Sequence, residues 1–528
     1  MPSSARRLVA ALALSYALCC VAPVAAAAYD GDLDTRFNHD TVPAVNGGIG
    51  RGSLSVDFDN LVGAPSFDVA RGIAKLPDGK YLVAALVNPG ANGKVGLVRL
   101  NPDGTRDASF GSPGSLGRIL RSGGGTGSGG GVLSVAGPVV RGNRAYYAYT
   151  TEADYGGGQH FARALVCRID FDGVPDTNFQ SWGFGTNPSA WPAGCSIADT
   201  ATLGWGAEVS DISVEPGFGY VVTALTYRQG SAANAPTNGA FTWMNDVGKD
   251  DLSGIALDLP QFKLVTADGD FEAARRVHFS RVVGASEYDF FLALDYQPND
   301  GSPHRAALRH YHGLTQQQEV ALPALSPTAG SSIGALAFET GPGNLGFDTF
   351  ALVVANVADG DVSGALMRPA LTRVPIAAGS SDLQAGIFTT FLDGFCTSAA
   401  AFGLRESCLV TTAQYDPVFR QLWLAGSWRI EGSAIYDYAL VGRLQRATND
   451  MYGLSPLVSA QSFRSYAFNA SLGETRRHWG AAMLLDNLQP VITGDRQLNA
   501  NDPGNVNHDA LVFRLRGADR IFDDGLEF

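Results

Sequence analysis

Three stretches of the sequence read almost alike: Ala164-Leu165-Val166-Cys167-Arg168-Ile169, Ala439-Leu440-Val441-Gly442-Arg443-Leu444 and Ala510-Leu511-Val512-Phe513-Arg514-Leu515. Val95-Gly96-Leu97-Val98-Arg99-Leu100 is a looser copy with the same Arg-Leu ending. Arg99 and Arg168 stand 69 residues apart, and Arg443 and Arg514 stand 71 apart. Each copy is preceded by a short β-branched or aromatic run. Seven such runs occur, beginning at Tyr81, Tyr146, Tyr220, Phe290, Phe350, Leu422 and Val491, with a mean step of about 68 residues. Runs this short, bounded by Gly, Asp or Asn, suit buried strands rather than helices.

A third string supplies turns. Asp30 to Phe37, Asp103 to Phe110 and Asp172 to Phe179 share the pattern D-G-x-x-D-x-x-F. Asp-Gly provides the positive-φ positions of a tight turn, and the Phe pins the following loop into an apolar gap. A unit near 68 residues with several strands and no helical period predicts an all-β, seven-bladed β-propeller over residues 29–516. Packing of both faces of each blade on neighbours explains why A-L-V-x-R-L is apolar nearly throughout. The first D-G-x-x-D-x-x-F precedes the first strand anchor and the last A-L-V-x-R-L has none after it. The N-terminal segment is therefore expected to supply the outer strand or turn of the last blade. The recurring arginines are expected to be structural, each pairing with an Asp of a D-G turn in its own or the next blade.

The run Ile73 to Ala84, followed by Val98 to Gly104 and Asp107 to Gly111, resembles the bacterial delta-60 repeat, a family of blade-like β units in exported proteins. The likeness is close over 66–111, clear over 160–180 and partial over 419–445 and 489–516. Between 240 and 400 only the period remains. The family carries no agreed catalytic motif, so the resemblance implies architecture and export and assigns no site residue.

The chain has 528 residues, ample for a large core, and 45% hydrophobic residues, which excludes a disordered chain. Its formal net charge is −13. Residues 1–28 carry Arg6 and Arg7 and no acid, so the remainder is more acidic still. An acidic balance without a basic cluster argues against nucleic acid and anionic membrane surfaces as partners. Residues 1–28 read as a signal peptide: a basic start, an apolar run and small residues at Ala25–Ala28. No second apolar stretch is long enough to span a bilayer, so a secreted, periplasmic or cell-surface monomer is expected. Residues 517–528 form an acidic C-terminal tail similar to the short I-F-x-D-G-F-E endings of many exported proteins, with Leu526 in place of Phe.

Beyond Cys19 and Cys20 there are four cysteines, Cys167, Cys195, Cys396 and Cys408, which in an exported chain read as two disulfides with the pairing open. No G-x-S-x-G, H-E-x-x-H or Walker pattern occurs. No catalytic residue, cofactor site or metal site is assigned. Asp170, Asp172 and Asp176 raise calcium as an alternative to turn chemistry, although the loop lacks the full ligand set of an EF-hand. His304, His310 and His312 share one strand parity and raise a metal site against ordinary packing. Trp182, Trp191 and Trp205 cluster around Cys195; they are candidate ligand-binding residues by ring stacking, with loop packing as the alternative. The expected role is a binding scaffold for a carbohydrate or protein ligand at the loop face or central funnel. The alternatives are an extracellular hydrolase or lyase with its site in the channel, or a structural surface protein.

Overall fold

The computed structural model describes residues 33–34, 36–38, 52–58, 67–124, 130–154, 160–179, 191–198, 205–229, 237–248, 261–265, 272–297, 302–322, 330–340, 348–359, 366–392, 406–430, 437–446, 452–454, 463–466, 478–497 and 508–516. Among these residues there is no helix, and the strands fall into seven antiparallel sheets, the blades of a propeller. The first blade comprises Asp68–Lys75, Tyr81–Val87, Lys94–Leu100 and Arg118–Ser122, and the second Val132–Arg141, Arg144–Asp154, His160–Asp170 and Cys195–Ile197. The third has Trp205–Val214, Val221–Gln229, Thr237–Met244 and Gln261–Val265; the fourth has Glu272–Phe279, Asp289–Tyr296, Arg305–His312 and Thr315–Ala321. The fifth has Ser331–Thr340, Asp348–Asp359, Leu366–Pro375 and Phe388–Phe391. The sixth has Glu406–Asp416, Gln421–Ile430, Asp437–Arg446 and Tyr452–Leu454, with Phe463–Tyr466 also pairing its third strand.

The seventh blade joins the two ends of the chain. It consists of His478–Asp486, Gln489–Gln497 and His508–Arg514, and its outer strand is Ser53–Val56 from the N-terminus. Leu54 lies opposite Val512 and Val56 opposite Ala510. The expectation that the N-terminal segment completes the last blade is met. All seven sequence anchors fall in or directly before the second strand of a blade, and A-L-V-x-R-L forms third strands. Every residue of Tyr81–Val87 is buried, as a strand packed on both faces requires.

The two repeated strings meet in three dimensions. Arg99 donates from Nε to Asp107 at 2.7 Å, and its guanidinium lies over Phe110, 5.2 Å from the ring centre. Arg168 pairs with Asp176 at 3.1 Å over Phe179, and Arg514 with Asp34 at 2.9 Å over Phe37. Each arginine then reaches into the next blade. Arg514 donates to the Pro102 carbonyl, Arg99 to the Phe171 carbonyl and the Asp172 carboxylate, and Arg168 to the Asp246 carbonyl. The Phe closes the same joint. Gly173, at φ +85°, has no room for a Cβ because Ile119 and the Phe110 ring of the preceding blade lie against it. The D-G-x-x-D-x-x-F string is thus a latch between blades, and the inferred Asp–Arg pairing is observed.

The latch carboxylates are sensitive to acid. Burial alone would push Asp107 up, but hydrogen bonds from Lys80 and Ser109 and the Arg99 charge outweigh it and hold the carboxyl well below its usual range. Asp34 and Asp176 are likewise lowered against the effect of burial, by Arg514 and Arg36 in one case and by Arg144, Asn178 and Arg168 in the other. A carboxyl lowered by folding contributes stability that is complete above its unfolded value and is lost as the pH falls through the folded one. Denaturant midpoints are therefore expected to fall between about pH 5 and about pH 2. Asp107→Asn is expected to be less stable near neutrality and to lose less on acidification; an unchanged acid limb in Asp107→Asn would contradict this origin.

Cys167 and Cys195 are bonded and lie opposite one another on the third and fourth strands of the second blade. The bridge spans 28 residues of sequence. Replacing both by serine is expected to cost about 2–4 kcal/mol in denaturant unfolding, and an unchanged midpoint would show the bridge to be dispensable. Cys408 is also disulfide-bonded, whereas Cys396 lies outside the described residues, as do residues 1–28 and the tail from 517 to 528.

Candidate functional site

The first strand of each blade faces the propeller axis, and each one is irregular. Register shifts interrupt all seven, releasing one extra residue at Arg71, Leu133, Ser210, Arg275, Gly334, Thr411 and Ala481. A bulge bends the strand and re-aims a side chain. Except for Gly334, each of these residues lines a central cavity of about 720 Å³. The bulges are held by neighbouring blades: Thr150 accepts from the Val209 N–H at 2.7 Å, Asp295 from Ile333 at 2.6 Å and Asn356 from Val410 at 2.9 Å.

The cavity wall carries both signs of charge. Arg275 is neutralised by Asp295 at 2.8 Å. Arg276 donates to the carbonyls of Gly334 and Thr411, both at 2.8 Å, tying the fourth blade to the fifth and sixth. Asp495 accepts from His508 Nδ1 at 2.7 Å, and the His508 ring lies 4.6 Å from that of Phe67. Burial raises the Asp211 carboxyl, and the Arg276 charge and backbone N–H bonds from Val277 and Ile212 only partly offset it. Arg71 is different. Enclosure in the channel lowers its affinity for a proton, Asp495 and Glu208 raise it, and Arg276 lowers it further. Among the described residues Arg71 makes no hydrogen bond, so its donors face the cavity.

The residues singled out in the sequence lie elsewhere. Trp182 is outside the described residues. Trp191 is half-buried against the core shared by the first two blades, and its indole N–H is buried without a partner among the described residues. Trp205 begins the first strand of the third blade, opposite Gln229 and three residues ahead of Glu208; its side chain is outside the description. Trp423 and Trp428 are buried, as expected of packing residues.

His310 is buried and His312 half exposed, and both approach one oxygen of Asp289, at 3.5 and 2.8 Å. Asp170 caps its own turn by accepting from the N–H groups of Asp172 and Val174. Asp172 and Asp176 are engaged by Arg99 and Arg168. Among the described residues no group of three or more His, Cys, Asp or Glu side chains is placed to hold a metal ion, and no helix is long and apolar enough to cross a membrane.

Sequence reasoning did not find the channel residues. A faint signal exists: Arg71, Ser210 and Ala481 each stand ten residues before an anchor, at Tyr81, Tyr220 and Val491. Residue types at that position differ from blade to blade, so no string repeats.

Such a closed ring of sheets around a lined channel defines a β-propeller, and comparison with known proteins agrees. A family model described as a domain of unknown function, DUF5122 beta-propeller, matches residues 76–110. No curated protein matches the sequence. Among solved structures, the chain is similar to the polysaccharide lyase Uly1, with 9% identity, 93% of this chain and 97% of that chain covered, and a TM-score of 0.42. It is also similar to a mutant Trypanosoma rangeli sialidase with trans-sialidase activity (10% identity, 75% of this chain, TM-score 0.35), of whose length it spans 55%. An alpha-L-arabinofuranosidase from Fusarium graminearum matches at 11% identity over 72% of this chain and 93% of that one, with a TM-score of 0.35. None of these activities is carried over to the present chain.

Proposed function

We propose that this propeller is an exported, monomeric binding scaffold that holds a carbohydrate or protein ligand in its central channel. The observation that carries the reading is Arg71, a guanidinium with no hydrogen bond among the described residues, projecting into a cavity of about 720 Å³. A cavity of that size falls in the range of small-molecule sites and admits a chain end or a few sugar units. Arg71 is exposed to the channel, and a guanidinium with open donors there favours a ligand that brings acceptors, either hydroxyls or a carboxylate. Trp205 heads one of the strands that form the channel wall, and we assign it to stacking on the same ligand. Export rests on residues 1–28, and the Cys167–Cys195 bridge is compatible with it.

Titration calorimetry of residues 29–528 against neutral and uronic-acid oligosaccharides and short peptides tests the proposal. Saturable binding is expected, weakened about 10–100-fold in Arg71→Ala, the loss a charge-assisted hydrogen bond implies. Absence of binding, or equal binding by Arg71→Ala, would remove the channel as the site. A second reading, hydrolysis or elimination in the channel, is favoured by one observation: Glu208 and Asp211 line the same wall, and burial keeps the Asp211 carboxyl above its usual range. Such a group is suited to proton donation. Product release from the same oligosaccharides, lost in Asp211→Asn, would move catalysis to the front.

A further inference from the structure

The turns joining first to second and third to fourth strands share one face of a propeller, and on that face the third and fourth blades carry a row of rings. Phe218, at the tip of the Glu215–Tyr220 turn, is 61% exposed. It stacks on Tyr220 with centres 6.1 Å apart and planes inclined by 27°. Tyr220 meets Tyr288 of the fourth blade at 5.3 Å, with their hydroxyls 3.4 Å apart. Tyr288 meets His312 edge-on at 5.7 Å, and the His312 side chain is 51% exposed. Beneath the row, Trp243 is fully buried against both tyrosines, so the row has a rigid floor.

The fold does not need Phe218 for its core, yet it fixes the turn that presents it. The Glu215 carboxylate accepts the backbone N–H groups of Gly217, Phe218 and Gly219, and the Glu215 N–H bonds the Tyr220 carbonyl. Arg141 of the second blade donates to the carbonyls of Pro216 and Gly217. An exposed ring held in one orientation loses little entropy when it binds. Other exposed apolar side chains on turns of this face among the described residues, Leu116, Val174, Val247, Val283 and Val418, carry no ring.

We propose that the row Phe218–Tyr220–Tyr288–His312 is a carbohydrate-stacking site on the turn face, separate from the channel. A sugar ring has an apolar face and a polar edge. Phe218 meets the first; the Arg141 guanidinium beside its turn and, further along the row, the Tyr288 hydroxyl and the His312 imidazole meet the second. A protein partner fits less well, because it demands a broad contiguous apolar patch where Tyr220 and Trp243 are buried.

The test is affinity electrophoresis and titration of residues 29–528 with hexasaccharides of glucose, xylose, mannose and uronic acid. Phe218→Ala is expected to lower affinity about tenfold or more without shifting the melting temperature, because the side chain is exposed. Phe218→Tyr should retain binding, and Arg71→Ala should leave this component unchanged, which separates the site from the channel. Equal binding by Phe218→Ala, absence of binding to every hexasaccharide, or a Phe218-dependent protein partner in place of a saccharide would each overturn the proposal.

Discussion

A chain lacking residues 30–56 is expected to lose its closed, cooperatively unfolding ring. The deleted segment supplies the outer strand of the seventh blade and the Asp34 partner of Arg514. Phe37, Leu54 and Val56 within it, and the adjoining Phe58, are buried in one cluster with Tyr81 and Val98 of the first blade and Val491 and Val512 of the last. Burying such side chains contributes about 1.5–3 kcal/mol each. The three deleted ones amount to about 4.5–9 kcal/mol as an upper estimate, comparable with the whole stability of a typical domain, about 5–15 kcal/mol. Limited proteolysis and thermal melting of the truncated protein should show early cleavage and a lost or broadened transition. An unchanged melting temperature would mean that the N-terminal strand does not close the ring.

The second large effect is expected at the latches. Arg99 is almost fully buried and bonds Asp107 and Ser109 of its own blade and Asp172 of the next. Arg99→Ala removes those bonds, leaves the buried Asp107 carboxylate with Lys80 as its one charged partner beside the Ser109 hydrogen bonds, and opens space above Phe110. Breaking a buried pair by removing one partner costs about 3–5 kcal/mol. Arg99→Leu is expected to cost less, since its side chain restores apolar contact with the Phe110 ring over which the guanidinium now lies. Arg168→Ala and Arg168→Leu should repeat the order, since Asp176 likewise keeps one cationic partner, Arg144, at 2.6 Å. Denaturant unfolding measures all four variants. Equal stability of wild type, Arg99→Ala and Arg168→Ala would show that the recurring arginine is not structural.

These latches explain what was legible in the sequence. A joint made wherever a D-G-x-x-D-x-x-F blade meets the next repeats the same residues, so Arg99, Arg168 and Arg514 announce themselves together with Phe110, Phe179 and Phe37. Between 240 and 400 the joint is built from other parts and the strings fade, although the period survives. Trp243 of the third blade meets Phe279 of the fourth edge-on, Phe241 meets Phe290 in the same way, and Phe291 of the fourth blade packs on Phe338 of the fifth at 5.4 Å, in place of an ion pair. The strand-forming pattern tolerates these exchanges because it requires only buried bulk.

The candidate sites were not legible for the opposite reason. A channel is lined by side chains from several blades, and Arg71, Glu208, Asp211 and Asp495 belong to no repeated string. What brings several of them together is a bulge, a backbone event set by the pairing register and not by any residue type. The aromatic row on the turn face was hidden likewise, since Phe218 and His312 are far apart in sequence and are joined only by Tyr220 and Tyr288 across two blades. The tryptophans around Cys195 stood out by their density, but density along the chain does not decide which ring reaches solvent. Trp191 shows this, being half-buried against the core cluster that contains Cys167 and Cys195.

The most direct test of a ligand site in the channel is hydrogen exchange of residues 29–528 with and without a saturating amount of the oligosaccharide or peptide that binds best. The account predicts slowed exchange in the first strands that carry the channel bulges, above all Asp68–Lys75 around Arg71 and Trp205–Val214 around Glu208 and Asp211, and no such slowing in Arg71→Ala. Protection confined to the turn residues 215–220 and 286–289, or found nowhere, would contradict it.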